Sequence, residues 1–150
     1  VTKFGSVARG VCEVQDGMLV DIVERTKIYQ RGEHAVYTED NETFIDLPGD
    51  TIVSMNIWGF TQPMVTELWQ RLGTFFAEDV PQDPLKREFY LPVAVNAQLQ
   101  AGTARVRVLP CEEVWHGVTY REDLASVKDA IRALKAAGVY EERLWPDTKD

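Results

Sequence analysis

The chain has 150 residues, with 16 Lys plus Arg against 24 Asp plus Glu and a formal net charge of −8. That length predicts one domain over residues 1–150, large enough to bury a core, and a 45% hydrophobic content with a tenth of the residues aromatic excludes a disordered chain. The acidity, with no basic cluster, argues against nucleic-acid or anionic-membrane partners, and no apolar run is long enough to span a bilayer. The first residues lack a signal-peptide core, so the cytoplasm is the expected compartment. Cys12 and Cys111 form neither a CxxC motif nor a disulfide framework, and both are expected to be buried free thiols.

Residues 6–14 are rich in β-branched side chains, Asp16-Gly17 supplies a turn, and Leu19 to Val23 alternates, which predicts a β-hairpin. The charged run Glu24-Arg25-Thr26-Lys27 then marks the expected end of the second strand. Residues 28–47 hold short polar runs and read as a small β meander or flap on the surface. Thr51 to Phe60 is nearly all apolar between turns, the pattern of a central strand covered on both faces.

Thr61-Gln62-Pro63 opens a helix in which Val65, Leu68, Leu72 and Phe75 share a face, ending near Phe76. Asp83-Pro84 predicts a short helical turn to about Tyr90, and a further helix runs from Pro92 to Gly102. Residues 103–109 alternate Ala104, Val106 and Val108 with Arg105 and Arg107, as a half-exposed strand does. The last helix is announced by a Thr119/Glu122 capping box, the stripe Leu124, Val127, Ile131 and Leu134, and Gly138 as its stop. The order ββ, flap, β, α, α, β, α predicts an α/β fold, a mixed sheet with covering helices.

The strong catalytic motifs are missing. There is no GxSxG, Walker A loop, GxGxxG or HExxH, and neither His34 nor His116 has a nucleophile patterned beside it. The adjacent pairs Glu112-Glu113 and Glu141-Glu142 read as solvated charge. What remains is Glu24, Arg25 and Lys27 beside a strand carrying Asn56 and Trp58. Those side chains could bind a phosphorylated sugar: a carboxylate for hydroxyls, cations for phosphate and an indole for the apolar sugar face. The competing reading is a solvated strand end with Trp58 in the core.

Four segments carry a resemblance. Gly10-Val11-Cys12-Glu13-Val14 with the Asp16-Gly17 turn and Ile22-Val23-Glu24-Arg25 resembles the hairpin of sugar-1-phosphate nucleotidyltransferases. Val53-Ser54-Met55-Asn56-Ile57-Trp58-Gly59-Phe60 is similar to that family's next sheet strand. Glu88-Phe89-Tyr90-Leu91-Pro92 is similar to its Glu-x-x-Leu-Thr-Asp helix start. Val114 to Thr119, continuing to Leu124, is similar to its closing Trp-x-Asp-x-Gly-Thr segment.

The resemblance implies the C-terminal, sugar-phosphate-side half of a GT-A-like domain. The nucleotide-binding loop and first magnesium-binding Asp would lie outside the chain, and by itself the segment should not catalyse. It implies a sugar phosphate and a nucleoside triphosphate as ligands of the parent protein, with Mg2+ as cofactor. It implies Gly10 as a close backbone approach to the sugar, Glu24 as hydroxyl acceptor, Arg25 as phosphate cation and Lys27 as a second one. Thr26 replaces the family's Pro, and Gly117 stands where the family has its second magnesium-binding Asp. The alternative is a noncatalytic binding or assembly module of the same fold. Residues 28–47 are expected to be a mobile cover over the sugar phosphate, or else a contact in a homo-oligomer.

Overall fold

A computed structural model describes residues 5–111, 114–118, 120–143 and 145. The predicted hairpin is the spine of the fold. Strand β1 (Ser6–Gln15) turns through Asp16 and Gly17, both with positive φ, into β2 (Met18–Arg31). Strands β3 (His34–Tyr37) and β4 (Ile45–Leu47) follow, giving an antiparallel sheet in the order β1-β2-β3-β4. Three helices accompany it: α1 (Gln62–Thr74), α2 (Leu91–Gln100) and α3 (Asp123–Ala136). The α/β content agrees with the sequence reading, but every strand pairing described is antiparallel.

Strand β2 does not end at Glu24. It continues to Arg31, so the charged run lies in the middle of a 14-residue strand. Two irregularities make this possible. Between the pairs Val7↔Ile28 and Arg9↔Arg25, β2 has two residues where β1 has one, and between Glu13↔Asp21 and Val14↔Leu19 it has Val20 extra. Each bulge reverses which alternate residues of β2 face the core. Leu19 and Ile22 therefore share a face with Cys12 and Val14 although their numbers differ in parity, and together with Met64 and Val95 they form the core cluster.

The segment 28–47 forms the expected small β meander, and it is part of the sheet rather than a surface excursion. Ile28 pairs with Tyr37, β3 pairs with β4, and Ile28 and Val36 are buried. The sequence concealed this because the buried residues are single positions set in polar surroundings.

Residues 51–60 depart furthest from expectation. They make one bridge, Val11↔Val53, with Cys12 N–H donating to the Ile52 carbonyl at 2.9 Å and Ser54 N–H to the Gly10 carbonyl at 2.8 Å. Asn56 then takes φ +56°, which breaks the extended chain, and Ile57 is left 87% exposed. Trp58 and Phe60 still pack on the core, their rings stacked with centroids 5.7 Å apart.

Helix α1 begins after Thr61 with Pro63 in its first turn and runs on through a π-helical turn (Phe75–Asp79) and a 3-10 turn (Val80–Gln82). It turns Met64 and Leu68 inward, whereas Val65 is exposed. Residues 83–87 form a turn on the Asp83 carbonyl, not a helix. Helix α2 lies against β2, burying Ala94, Val95 and Gln98, and ends before Gly102 at φ +69°. Residues 103–109 alternate as expected, but pair only at Met18↔Arg107, with Leu19 N–H donating to the Val106 carbonyl. Thr119 lies outside the described residues. At that helix start the Asp123 carboxylate accepts the Tyr120 N–H at 2.9 Å, and Gly138 closes α3 at φ +74°. Cys12 is half-buried, and Cys111, against expectation, is exposed; both are free thiols. Among the described residues no helix is long and apolar enough to cross a membrane.

Candidate functional site

Register decides where the candidate side chains go. Gly10 pairs with Glu24 and Arg9 with Arg25, and neighbours along a strand point to opposite faces. Glu24 therefore shares the core face with Ile22, whereas Arg25 stands beside Arg9 on the other face. The proposed carboxylate and its phosphate cation are separated by the sheet itself.

On the first face, Glu24 is half-buried. Desolvation pushes its carboxyl above the ordinary value, and the neighbouring Arg9 charge opposes that shift. The charge of Glu24 reaches Tyr90, the residue just before α2. That phenol is raised chiefly by its hydrogen bond with Glu88, then by burial and by the charges of Glu88 and Glu24. Across the ladder, a Cβ placed on Gly10 would lie 2.8 Å from Cδ1 of Ile22 and 3.4 Å from Cβ of Ser54. Protein side chains fill the space above Gly10, so its missing side chain is explained by packing. Ser54 extends toward Asn56, whose N–H donates to the Ser54 hydroxyl at 3.0 Å, while the Trp58 indole N–H donates to Asn56 Oδ1 at 2.9 Å. Ser54 thus lies beside Gly10, the cross-strand partner of Glu24, and Tyr90 lies within electrostatic reach of that carboxylate. The segment 88–92 reads in the sequence only as a helix start, and it is the fold that brings the Tyr90 phenol within reach of the Glu24 charge.

On the second face, Arg25 forms an ion pair with Glu39 and stacks over Tyr37, its guanidinium carbon 4.3 Å from the ring centroid. Lys27, inside the bulge, donates to Asn41 Oδ1 at 2.8 Å. Both cations are tied to the loop 38–43. That loop is organised by Asp40, which accepts from the Glu42 and Thr43 N–H groups at 2.9 and 2.8 Å and from the Thr38 hydroxyl at 3.1 Å. These bonds hold its carboxyl far below the usual carboxylate range. Arg9 stacks over Trp115 at 4.4 Å.

Magnesium does not fit at the position the resemblance suggests. Gly117 brings no carboxylate, and a side chain there would collide with the Trp115 ring. No group of three or more potential metal-ligating side chains occurs among the described residues. The His34 side chain is exposed on β3, and His116 is exposed as well. No family model and no curated protein sequence matches the chain.

Proposed function

We propose that this chain forms the sugar-phosphate side of a nucleotidyltransferase, with Glu24 receiving the sugar hydroxyls. In that reaction a sugar phosphate oxygen attacks the α-phosphate of a nucleoside triphosphate and pyrophosphate leaves. The observation that supports the reading is Glu24 itself: a half-buried carboxylate on the core face of the hairpin, paired across the ladder with Gly10, whose charge reaches the Tyr90 phenol. A half-buried carboxylate is suited to hydroxyl recognition, because each hydrogen bond it makes is partly shielded from water. Glu24 and Tyr90 bind and orient the sugar.

A second reading, a noncatalytic binding module, is favoured by one specific observation. Arg25 and Lys27, the phosphate cations of the first reading, lie away from Glu24 and are engaged by Glu39 and Asn41. Titration of the labelled chain with glucose 1-phosphate, followed by amide NMR, tests the first reading. Shifts at Gly10, Glu24, Asn56 and Tyr90 that disappear in Glu24→Gln are expected. Binding that leaves those four amides unmoved refutes the assignment of Glu24.

A further inference from the structure

Helix α1 is apolar on two sides. Met64 and Leu68 pack on the core, and beside that line Val65, Trp69 and Phe76 are 48%, 75% and 61% exposed, with half-buried Leu72 between the last two. Residues four, three and four positions apart stand one above another on a helix, so these four side chains make a second apolar stripe. Phe76 opens the π-helical turn and continues the line, its ring braced edge-on by Phe75. Trp69 makes no hydrogen bond or ring contact among the described residues. Exposed apolar residues scattered singly are ordinary, whereas a contiguous run of this kind marks a contact surface.

The stripe is complementary to itself. Its spacing reads the same in both directions about the midpoint between Gln70 and Arg71, so two α1 helices laid antiparallel bring Val65 to the partner's Phe76 and Trp69 to the partner's Leu72. Trp69, Leu72, Gly73 and Phe76 have the spacing of the four residues that bound one hole on a helix surface, and a Cβ on Gly73 would meet nothing within 4 Å. The hole is open, and it faces the partner's Trp69. Charge permits the pairing here although the chain as a whole carries −8: between residues 62 and 76 the charged side chains are Glu67 and Arg71, which pair with each other at 2.8 Å. The helix ends are complementary too. The first turn of α1 has no acidic residue and Thr61 makes no side-chain cap, whereas Glu78 and Asp79 follow its last turn. Antiparallel pairing lays those carboxylates beside the other helix's N-terminus, where the helix dipole favours negative charge.

We propose that the stripe Val65, Trp69, Leu72 and Phe76 is the contact of an antiparallel, two-fold dimer of this chain. The stripe lies on α1 and Glu24 on β2, so the dimer does not rest on the nucleotidyltransferase reading. One helix face is a small contact, and the dimer is of the weak, reversible kind.

The test is sedimentation velocity of the 150-residue chain from about 1 μM to about 1 mM. The sedimentation coefficient should rise from monomer to dimer and stop there, because a two-fold contact closes on itself. Trp69→Ala should weaken the dimer by about tenfold or more, since both copies lose the aromatic side chain that fills the hole. Gly73→Leu fills the hole from its own side and should weaken the dimer as strongly. Both positions are exposed, and far-UV circular dichroism verifies the fold of each variant. Glu78→Gln combined with Asp79→Asn should weaken the dimer about two- to fivefold. A tighter dimer in that variant means parallel helices and overturns the proposal. So does a monomer at every concentration, which leaves the stripe to a partner of another kind. A dimer unmoved by both Trp69→Ala and Gly73→Leu places the contact elsewhere, and growth beyond the dimer excludes a closed two-fold; either result overturns the proposal as well.

Discussion

Gly10→Ala is the sharpest probe of how the hairpin is built. The new methyl would sit 2.8 Å from Cδ1 and 3.0 Å from Cγ1 of Ile22, well inside contact distance. Ile22 is held among Leu19, Met64 and Val95 and has little room to turn away. Overpacking of this kind costs about 1–3 kcal/mol, and the reduced freedom of the unfolded chain returns about 0.4–1 kcal/mol, so a net loss of roughly 1–2 kcal/mol is expected. Ile22→Val removes the offending Cδ1 and should cost about 0.5–1.5 kcal/mol alone. If the steric account holds, the double variant costs less than the sum of the two single variants, the contact with Cγ1 alone remaining, a coupling of about 1 kcal/mol between adjacent positions. Urea unfolding followed by far-UV circular dichroism measures all four corners of the cycle. Additivity within about 0.5 kcal/mol, or a Gly10→Ala chain more stable than wild type, would refute the reasoning.

Three further expectations follow from charges and packing. Glu24 has a carboxyl raised by burial, so its ionised form is the costly one, and the cost is present above the folded value and absent below the unfolded one, near 4.5. Glu24→Gln should therefore stabilise the chain at neutral pH, with the gain shrinking as pH falls, and parallel unfolding curves at every pH would contradict this. Asp40 has the opposite sign: its depressed carboxyl contributes stability above the unfolded value of 3.8, lost only as pH falls through the lower folded value. Asp40→Asn should speed amide exchange at Glu42 and Thr43 without touching β1, as hydrogen exchange will read. Val36 is fully buried on β3, and Val36→Ala should cost roughly 2 kcal/mol of global stability. A freely opening flap would instead give almost no loss in the same unfolding assay.

The hairpin, the three helices and their stops were legible because their signals are local. Asp16-Gly17, Pro63, Pro92, Gly102 and Gly138 each impose a backbone state that the fold then adopts. What escaped the sequence was non-local. Neither bulge in β2 has a glycine or proline to announce it, so the strand seemed to stop at its charged run. Asn56 ends the extension of an apolar stretch whose composition alone favours a strand. Of the candidate site, Glu24 was visible as a charge next to buried residues. Its separation from Arg25 depends on register, and the reach of its charge to Tyr90 depends on where the chain enters α2; residue types encode neither.

The paired irregularities in β2 also make the strand tolerant of a change in length. Deleting Thr26 would convert two residues facing one into ordinary one-to-one pairing, leaving Arg25 opposite Arg9 and Ile28 opposite Val7. Deleting Val23, three positions earlier, would push every following side chain to the wrong side of the sheet or force a new bulge elsewhere. The hairpin thus has two places where its coding sequence can lose a codon and keep its interior. Comparison of homologous chains should find single-residue gaps at 20 or at 26–27 and an unbroken run from 21 to 25.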